Sequence, residues 1–282
     1  MKVAICAIAR LENNYLREWV EHYLKLGVDT IFLGDNNEEN EEHFEDVIGD
    51  YINSNFVYII DVRGLKGNIQ MILYDNVYKT FNDIYDWIGF FDIDEFLEIT
   101  NGLTLKETLS KDIYKNFDFI RINWECYDDN DLVRVIDNNY NVQERFTHPM
   151  VNKKMNVQTK TFIRGGLNLE IISPHGPTLV SLESFIISDI NKNLRCCNSA
   201  GDPCENAIEI KNITYQNFKI KHYYLKTIEE YINLKIKRGY PNNWAKRGKS
   251  LLSPEFFFTY NKRTPEKEQY ANQAMSLKIF YL

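Results

Sequence analysis

The chain has 282 residues, enough to bury a substantial core, and its 44% hydrophobic and 14% aromatic content argues against long disordered segments. A net charge of −7 and a pI near 5.4 exclude the general electrostatic attraction by which proteins bind a nucleic-acid backbone. The five cysteines are odd in number, and a chain of this size needs no disulfide framework, so we expect reduced thiols.

Three features of the sequence bear on the location of the protein in the cell. Residues 1–7 are too short an apolar run for a signal peptide and fit a first buried strand, and no run reaches the roughly 18 to 20 apolar residues of a membrane helix. These features indicate a cytoplasmic protein. A basic cluster in the last third leaves peripheral contact with the inner membrane open, although a solvated helix face explains it as well. Its members are Lys235, Lys237, Arg238, Lys246, Arg247 and Lys249.

The first third of the chain alternates between continuous apolar runs and segments with apolar residues at helical spacing. The runs predict strands and the periodic segments predict helices. The predicted strands are residues 3–8, 30–33, 56–60 and 87–91, and the clearest helices between them are residues 15–26 and 68–80. This β-α-β alternation predicts a parallel sheet covered by helices.

Polar residues follow each predicted strand. Arg10, Asp35, Asp61 and Asp92 come at or just after the four strand ends. Because ligands of open parallel sheets bind beyond the carboxyl ends of the strands, we expect these regions to converge on one crevice.

After the fourth strand the alternation weakens. Residues 117–124 predict a strand, and residues 140–220 predict short strands broken by Gly and Pro. Thr227 and Glu230 have the spacing of a capping box, which predicts a helix that begins there and ends at Gly239.

Two aspartates after the fourth predicted strand are candidates for a metal site. An Asp-x-Asp triplet alone is weak evidence, since the chain has a second one at residues 129–131. Asp92 and Asp94, however, follow an apolar strand, and extended geometry would turn both carboxylates toward the crevice while Ile93 points back. Such a pair suits Mn²⁺ or Mg²⁺ on a diphosphate. A solvated turn that includes Glu95 is the alternative.

Several segments resemble the family 2-like and family 92 glycosyltransferases, most specifically DWIGFFDIDEF at residues 86–96. The other matching segments are residues 8–10, 18–22, 27–31 and 222–227, with Glu230, Arg238 and Gly239. The resemblance implies an α/β protein of the GT-A fold, with a Rossmann-like, mostly parallel sheet flanked by helices and an elaborated C-terminal portion. Residues 1–131 would be the nucleotide-sugar-binding half, and residues 132–282 the acceptor-side and C-terminal helical portion of the same domain.

The resemblance also implies where a nucleotide-sugar donor binds. The end of the first strand and the acidic end of the second would hold base and ribose, and further residues would lie along the same edge. These candidates are Ala7, Ile8, Ala9, Arg10, Asp35, Asp61, Arg63, Lys66 and Gln70. Asp92, with Ile93 beside it, would face the ribose and a metal-bound water, and Asp94 would ligate the metal directly.

Three residues near the C-terminus complete the candidate donor site. His222 matches a late histidine that supplies a further metal or diphosphate contact in this fold, against the alternative of a satisfied core histidine. Lys226 and Arg238 are candidate diphosphate partners, and helix-end surface charges are their alternative.

Transfer with inversion requires a carboxylate that takes the proton of the acceptor hydroxyl. The loop at residues 125–131 holds a dense acidic cluster, in which Asp129 is the first candidate, followed by Asp128 and Glu125. An acidic surface loop is the alternative. Trp124 could stack on a sugar ring, and core packing explains it equally well.

The favoured hypothesis is a bacterial, metal-dependent, inverting glycosyltransferase that moves a hexose from a UDP-sugar to a saccharide or lipid-linked acceptor, a precursor of capsule, other surface polysaccharide or lipopolysaccharide. A nucleotidyltransferase acting on a sugar phosphate is the first alternative, but it would normally show a Gly-rich loop after the first strand, and residues 7–12 contain no glycine. A non-catalytic GT-A-like binding protein is the second alternative, and such a protein should have lost the aspartate pair.

Overall fold

The computed structural model describes residues 1–178, 188–238 and 253–276. The predicted helix end at Gly239 and the basic residues Lys246, Arg247 and Lys249 lie outside these ranges. Among the described residues, no helix is long and apolar enough to cross a membrane.

One mixed sheet of nine strands organises the described part of the chain. The strands are β1 (Val3–Ala9), β2 (Thr30–Asp35), β3 (Val57–Asp61), β4 (Trp87–Phe90), β5 (Glu95–Ile99), β6 (Phe119–Cys126), β7 (Thr159–Arg164), β8 (Cys196–Asn198) and β9 (Phe218–His222). The α-helices are α1 (Asn13–Lys25), α2 (Glu45–Asn53), α3 (Ile69–Phe81), α4 (Leu105–Leu109), α5 (Val142–Arg145), α6 (Ile228–Tyr231), α7 (Pro254–Tyr260) and α8 (Pro265–Ser276), and a π-helix (Ile232–Lys237) continues α6.

The strand order is β3-β2-β1-β4-β7-β6-β9-β5, with β8 beside β6. The first four strands are all parallel, which confirms the parallel sheet predicted from the N-terminal alternation. The other half is mixed: β7 runs antiparallel to β4 and β6, and β5 runs antiparallel to β9. The α/β class and a mostly parallel sheet flanked by helices are confirmed.

Two apolar clusters cover the two faces of the sheet. As its helical spacing predicted, α1 buries Leu16, Trp19, Val20 and Tyr23 on one face, and it ends before Gly27, which has a φ of 85°. Helix α3 covers the other face with Leu73, Tyr74 and Val77 among its buried residues. Both helices border the end of β4, where the candidate aspartates follow.

The predicted capping box is also present. The hydroxyl of Thr227 accepts from the backbone N–H of Glu230, and the Glu230 carboxylate accepts from the backbone N–H of Thr227 at 3.0 Å. Two orphan donors at the start of α6 are thereby satisfied. Strand β5, directly after the aspartate triplet, was not predicted.

Candidate active site

The segment after β4 is a turn rather than a continuation of the strand. The backbone N–H of Glu95 donates to the carbonyl of Asp92 at 3.0 Å, and the Glu95 side chain accepts from the Asp92 N–H at 3.0 Å. The indole N–H of Trp19 donates to the backbone carbonyls of Asp92 and Glu95, at 2.9 and 3.0 Å. The expectation of extended geometry was therefore wrong, because the Glu95 side chain closes a turn from which β5 starts back.

A cleft of about 150 Å³ lies at this turn, beyond the carboxyl ends of β1 and β4. Its lining residues are Ile8, Glu12, Gln70, Asp92, Ile93, Asp94, Trp124, His222, Tyr224, Lys235 and Arg238. Both aspartates reach the cleft, and so does Ile93, which extended geometry would have turned away. We call this the donor cleft, after the donor-site residues that the sequence predicted.

Asp92 lies on the more open side of the donor cleft, with 35% of its side chain exposed. One of its oxygens accepts from the Gln70 amide at 2.9 Å, and the other lies 2.7 Å from the Lys160 ammonium. Burial works against the charged form of Lys160, but the carboxylates of Asp92 and Glu95 raise its pKa. Lys160 therefore stays a cation and holds Asp92 in place.

Asp94 is deeply buried, with 5% of its side chain exposed. Its Oδ2 lies 2.8 Å from the ammonium of Lys235, and its Oδ1 lies 3.4 Å from Nε2 of His222. Although burial alone would raise it, Lys235 and His222 hold the pKa of Asp94 well below the ordinary value. Asp94 is therefore an anion inside the protein.

His222 closes the inner wall of the donor cleft. It ends β9 and pairs in register with Glu95 of the edge strand β5, and this pairing brings it to the aspartates. Burial lowers the pKa of His222, although Asp94 works in the opposite direction. A neutral imidazole, the form that binds metals, therefore faces Asp94.

Glu95 is fully buried behind the aspartates. Burial raises its pKa well above the ordinary value, although Lys160 works in the opposite direction. Its Oε1 lies 4.0 Å from Nε2 of His222 and has no hydrogen-bond partner within the described ranges. Glu95 thus supports the turn with one oxygen and presents the other toward His222.

The residues present fit a divalent cation. Asp94 Oδ1 and His222 Nε2 lie 3.4 Å apart, and with bonds of about 2.1 Å one ion can contact both. Within residues 1–178, 188–238 and 253–276, no group of three or more His, Cys, Asp and Glu side chains is arranged to hold a metal. Asp94 and His222 would supply two direct ligands, and Mg²⁺ or Mn²⁺ completes such a shell with water and substrate phosphates.

Eight of the sequence-predicted residues meet in the donor cleft: Ile8, Gln70, Asp92, Ile93, Asp94, Trp124, His222 and Arg238. Others lie at the same sheet edge outside it. Asp35 pairs in register with Ala9 and Asp61, and Arg63 contacts Asp61 at 3.0 Å.

The remaining donor-site candidates are spread around this edge. Ala7 is buried within β1, Lys66 is exposed, and Arg10 pairs with Glu41 at 2.7 Å. Lys226 is buried, with its ammonium 4.6 Å from the ring centre of Tyr15. Their roles in donor binding stay predictions.

The acidic loop lies apart from the donor cleft. Asp128 and Asp129 line a separate cleft of about 330 Å³ with Tyr260 and Asn261. Asp129 is buried, and its carboxylate lies 2.6 Å from the Lys267 ammonium of α8.

Glu125 also lies outside the donor cleft, where it accepts from Lys219 at 2.7 Å and from the Tyr127 hydroxyl at 3.0 Å. The loop therefore has structural partners, and its catalytic role stays a prediction.

Sequence reasoning missed three charged residues at this site. Lys160 lies in the middle of β7, where a lysine within a buried strand was the available signal. Lys235 was read only as part of the basic cluster. Glu12 lines the donor cleft and contacts Arg238 at 3.4 Å, and no pattern marked it.

The chain is similar in sequence to known proteins. Two curated proteins described as glycosyltransferase family 92 proteins are similar to the chain. The one from Ricinus communis is 28% identical over 108 residues, which are 38% of this chain and 19% of that protein. The one from Oryza sativa subsp. japonica is 26% identical over 107 residues, 38% of this chain and 18% of that protein. The matched segment thus spans about a fifth of each relative.

Solved structures with a similar arrangement include S. aureus TarS 1–349 in complex with UDP-GlcNAc, at 14% identity and a TM-score of 0.38, covering 58% of this chain and 45% of that one. The galactosyltransferase LgtC in complex with donor and acceptor sugar analogs has 16% identity and a TM-score of 0.26, covering 43% of this chain and 47% of that one. The family model described as Glycosyltransferase family 92 matches residues 2–193, from β1 through the aspartate turn to β7 and beyond. The chain therefore belongs to glycosyltransferase family 92.

Proposed function

We propose that this chain is a metal-dependent, inverting glycosyltransferase that moves a hexose from a UDP-sugar to a saccharide or lipid-linked saccharide. The observation that carries the proposal is the convergence of Asp92, Asp94 and His222 on one cleft beyond the ends of β1 and β4. The family membership supports glycosyl transfer, and uracil as the base follows from the resemblance to the family 2-like and family 92 glycosyltransferases.

The donor cleft has the charges that a diphosphate requires. Lys235 and Arg238 line it, and Lys226 lies buried nearby. Fixed ammonium and guanidinium groups stabilise the negative charge that develops on a leaving diphosphate. The base and ribose would lie along the edge formed by the ends of β1, β2 and β3, where Asp35, Asp61 and Arg63 meet.

Asp94 and His222 would hold Mn²⁺ or Mg²⁺, with Asp92 reaching it through water. When bound, the cation would neutralise the donor diphosphate. Asp94 and His222 are pre-positioned for this task, because β5 and β9 pair at Glu95 and His222 and because Asp94 is fixed by Lys235. Glu95 orients the turn from behind.

Residues 132–282 would provide the acceptor side, with residues 1–131 as the donor half. Asp129, then Asp128 and Glu125, are the proposed candidates for the base that deprotonates the acceptor hydroxyl. The acceptor class would be a bacterial surface polysaccharide, capsule or lipopolysaccharide precursor, met in the cytoplasm or at the inner membrane surface.

The test is a thermal-shift screen of UDP, GDP, CMP and their common sugar conjugates, with and without Mn²⁺, since a ligand that binds only the native state raises the melting temperature. We expect a Mn²⁺-dependent shift with UDP and its sugar conjugates. A shift with none of them would contradict the proposal and favour a binding protein. Consumption of a nucleoside triphosphate with release of pyrophosphate would favour the nucleotidyltransferase.

A further inference from the structure

Two cysteines far from the donor cleft approach each other closely. Cys196, at the start of β8, and Cys204 have their Sγ atoms 2.9 Å apart. The chain between them folds back on itself: the N–H of Cys204 donates to the carbonyl of Cys196 at 3.1 Å, and Cys197 bridges to Pro203. Backbones paired in this way bring two cysteines within the range a disulfide needs.

The turn that joins the two cysteines is well supported. The Asn198 N–H donates to the Asp202 carbonyl at 2.9 Å, and the Asn198 side chain accepts from the N–H groups of Ala200 and Asp202 at 2.9 and 3.0 Å. The two thiols are therefore held together by backbone geometry, and bond formation between them requires no rearrangement of the sheet.

Arg121 supplies the electrostatic reason for a reactive thiol here. It is fully buried on β6, and the described side chains and carbonyls that accept from its guanidinium are neutral, with the His175 carbonyl at 2.9 Å and the Asn206 amide oxygen at 3.1 Å. Its Nε has no hydrogen-bond partner in the described part of the chain. A buried cation without an anionic partner is costly, and a thiolate would relieve that cost.

The pKa values of the two thiols shift in opposite directions. The hydrogen bond with Cys204 lowers the pKa of Cys196 despite burial, and the charge of Arg121 lowers it further. The same hydrogen bond and burial raise the pKa of Cys204. The charge of Arg121 thus favours a thiolate within this pair, and a reactive thiolate beside a second thiol is the arrangement of a reactive and a resolving cysteine.

We propose that Cys196 and Cys204 form a site of reversible oxidation by peroxides. The Cys196 thiolate attacks one oxygen of hydrogen peroxide, the O–O bond breaks, and the leaving hydroxide takes a proton to become water. The Cys204 sulfur then loses its proton, attacks the Cys196 sulfur and expels the sulfenic oxygen as a second water. The two cysteines lose two electrons to the peroxide, and a dithiol reductant returns them.

The test uses the full chain, reduced, exposed to hydrogen peroxide and then alkylated. Trypsin cleavage after Arg195 and Lys211 releases residues 196–211, which carry Cys196, Cys197 and Cys204 on one peptide. We expect a peptide lighter by two hydrogen atoms, with one alkylated thiol at Cys197. Cys6 and Cys126 are internal controls that should stay reduced, because burial raises the pKa of both thiols.

Two variants make the assignment specific. Cys197→Ser is the matched control and should form the bond as the wild type does. Cys204→Ser should lose the bond, and its Cys196 should accumulate as a sulfenic acid that dimedone traps. Full alkylation of Cys196 and Cys204 after peroxide treatment, or a bond that involves Cys197, would overturn the proposal. These readouts do not depend on glycosyl transfer.

Discussion

Replacing Lys235 by Met tests whether the donor cleft binds a diphosphate through its fixed cations. The Lys235 ammonium lies 2.8 Å from Asp94 Oδ2, and both side chains are nearly buried, so the substitution removes a cation from the wall of the cleft with little change in volume. A charge-assisted hydrogen bond contributes about 1.5–3 kcal/mol. We therefore expect UDP to bind roughly 10- to 150-fold more weakly.

The same substitution also leaves the Asp94 carboxylate with His222 as its remaining close partner, at 3.4 Å. Removing one member of a buried ion pair costs about 3–5 kcal/mol, so the urea midpoint should fall. Calorimetric titration of UDP with Mn²⁺, done well below that midpoint, separates the two effects.

Lys237→Met is the matched control, because Lys237 is exposed on the same π-helix and bonds only to Asn233 among the contacts described. It should bind UDP as the wild type does. Equal affinities for Lys235→Met and Lys237→Met would refute the assignment of Lys235 to the diphosphate.

Three further predictions concern the surrounding structure. Glu230→Gln should lower the free energy of unfolding by about 3 kcal/mol, because Arg145 forms a buried two-point ion pair with Glu230 at 2.7 and 2.9 Å; an unchanged urea midpoint would argue against that pair. Trp124→Phe should remove most of the fluorescence change caused by UDP-sugar, since the Trp124 indole lines the donor cleft; a full change in the variant would place the ligand elsewhere. Asp129→Asn should reduce kcat by about 10²-fold or more with donor affinity kept if Asp129 is the base. If Asp129→Asn turns over normally but unfolds at a lower urea concentration, Asp129 has a purely structural role. Lys267→Met, which removes the partner of Asp129, should behave in that way.

The parallel half of the sheet was predictable because its strands read as continuous apolar runs, and β1, β2 and β4 are buried on both faces. The helices between these strands show apolar residues at helical spacing, and the aspartates directly follow the apolar run of β4. Local sequence offered the turn at the aspartates only as an alternative, because nothing near Glu95 in the sequence shows that its side chain accepts from the Asp92 N–H and closes the turn.

The partners of the aspartates were also beyond local sequence. Lys160 is 68 residues from Asp92, and Lys235 is 141 residues from Asp94. The mixed second half of the sheet and the helix after β9 bring these ammonium groups to the aspartates. A charged residue in a buried strand, as Lys160 is in β7, was the one local sign of such a long-range ion pair.

We propose that Asp94 helps to hold a metal-bound nucleotide diphosphate. The test is calorimetric titration of UDP with Mn²⁺ into the wild type, Asp94→Asn and Asp131→Asn. Asp131→Asn is the control, because Asp131 is the last residue of the second Asp-x-Asp triplet and is exposed. Circular dichroism would first establish that Asp94→Asn is folded, since Lys235 loses its carboxylate partner in that variant. We expect Mn²⁺-dependent binding to the wild type and to Asp131→Asn and near-complete loss in folded Asp94→Asn. Undiminished Mn²⁺-dependent binding to Asp94→Asn would contradict it.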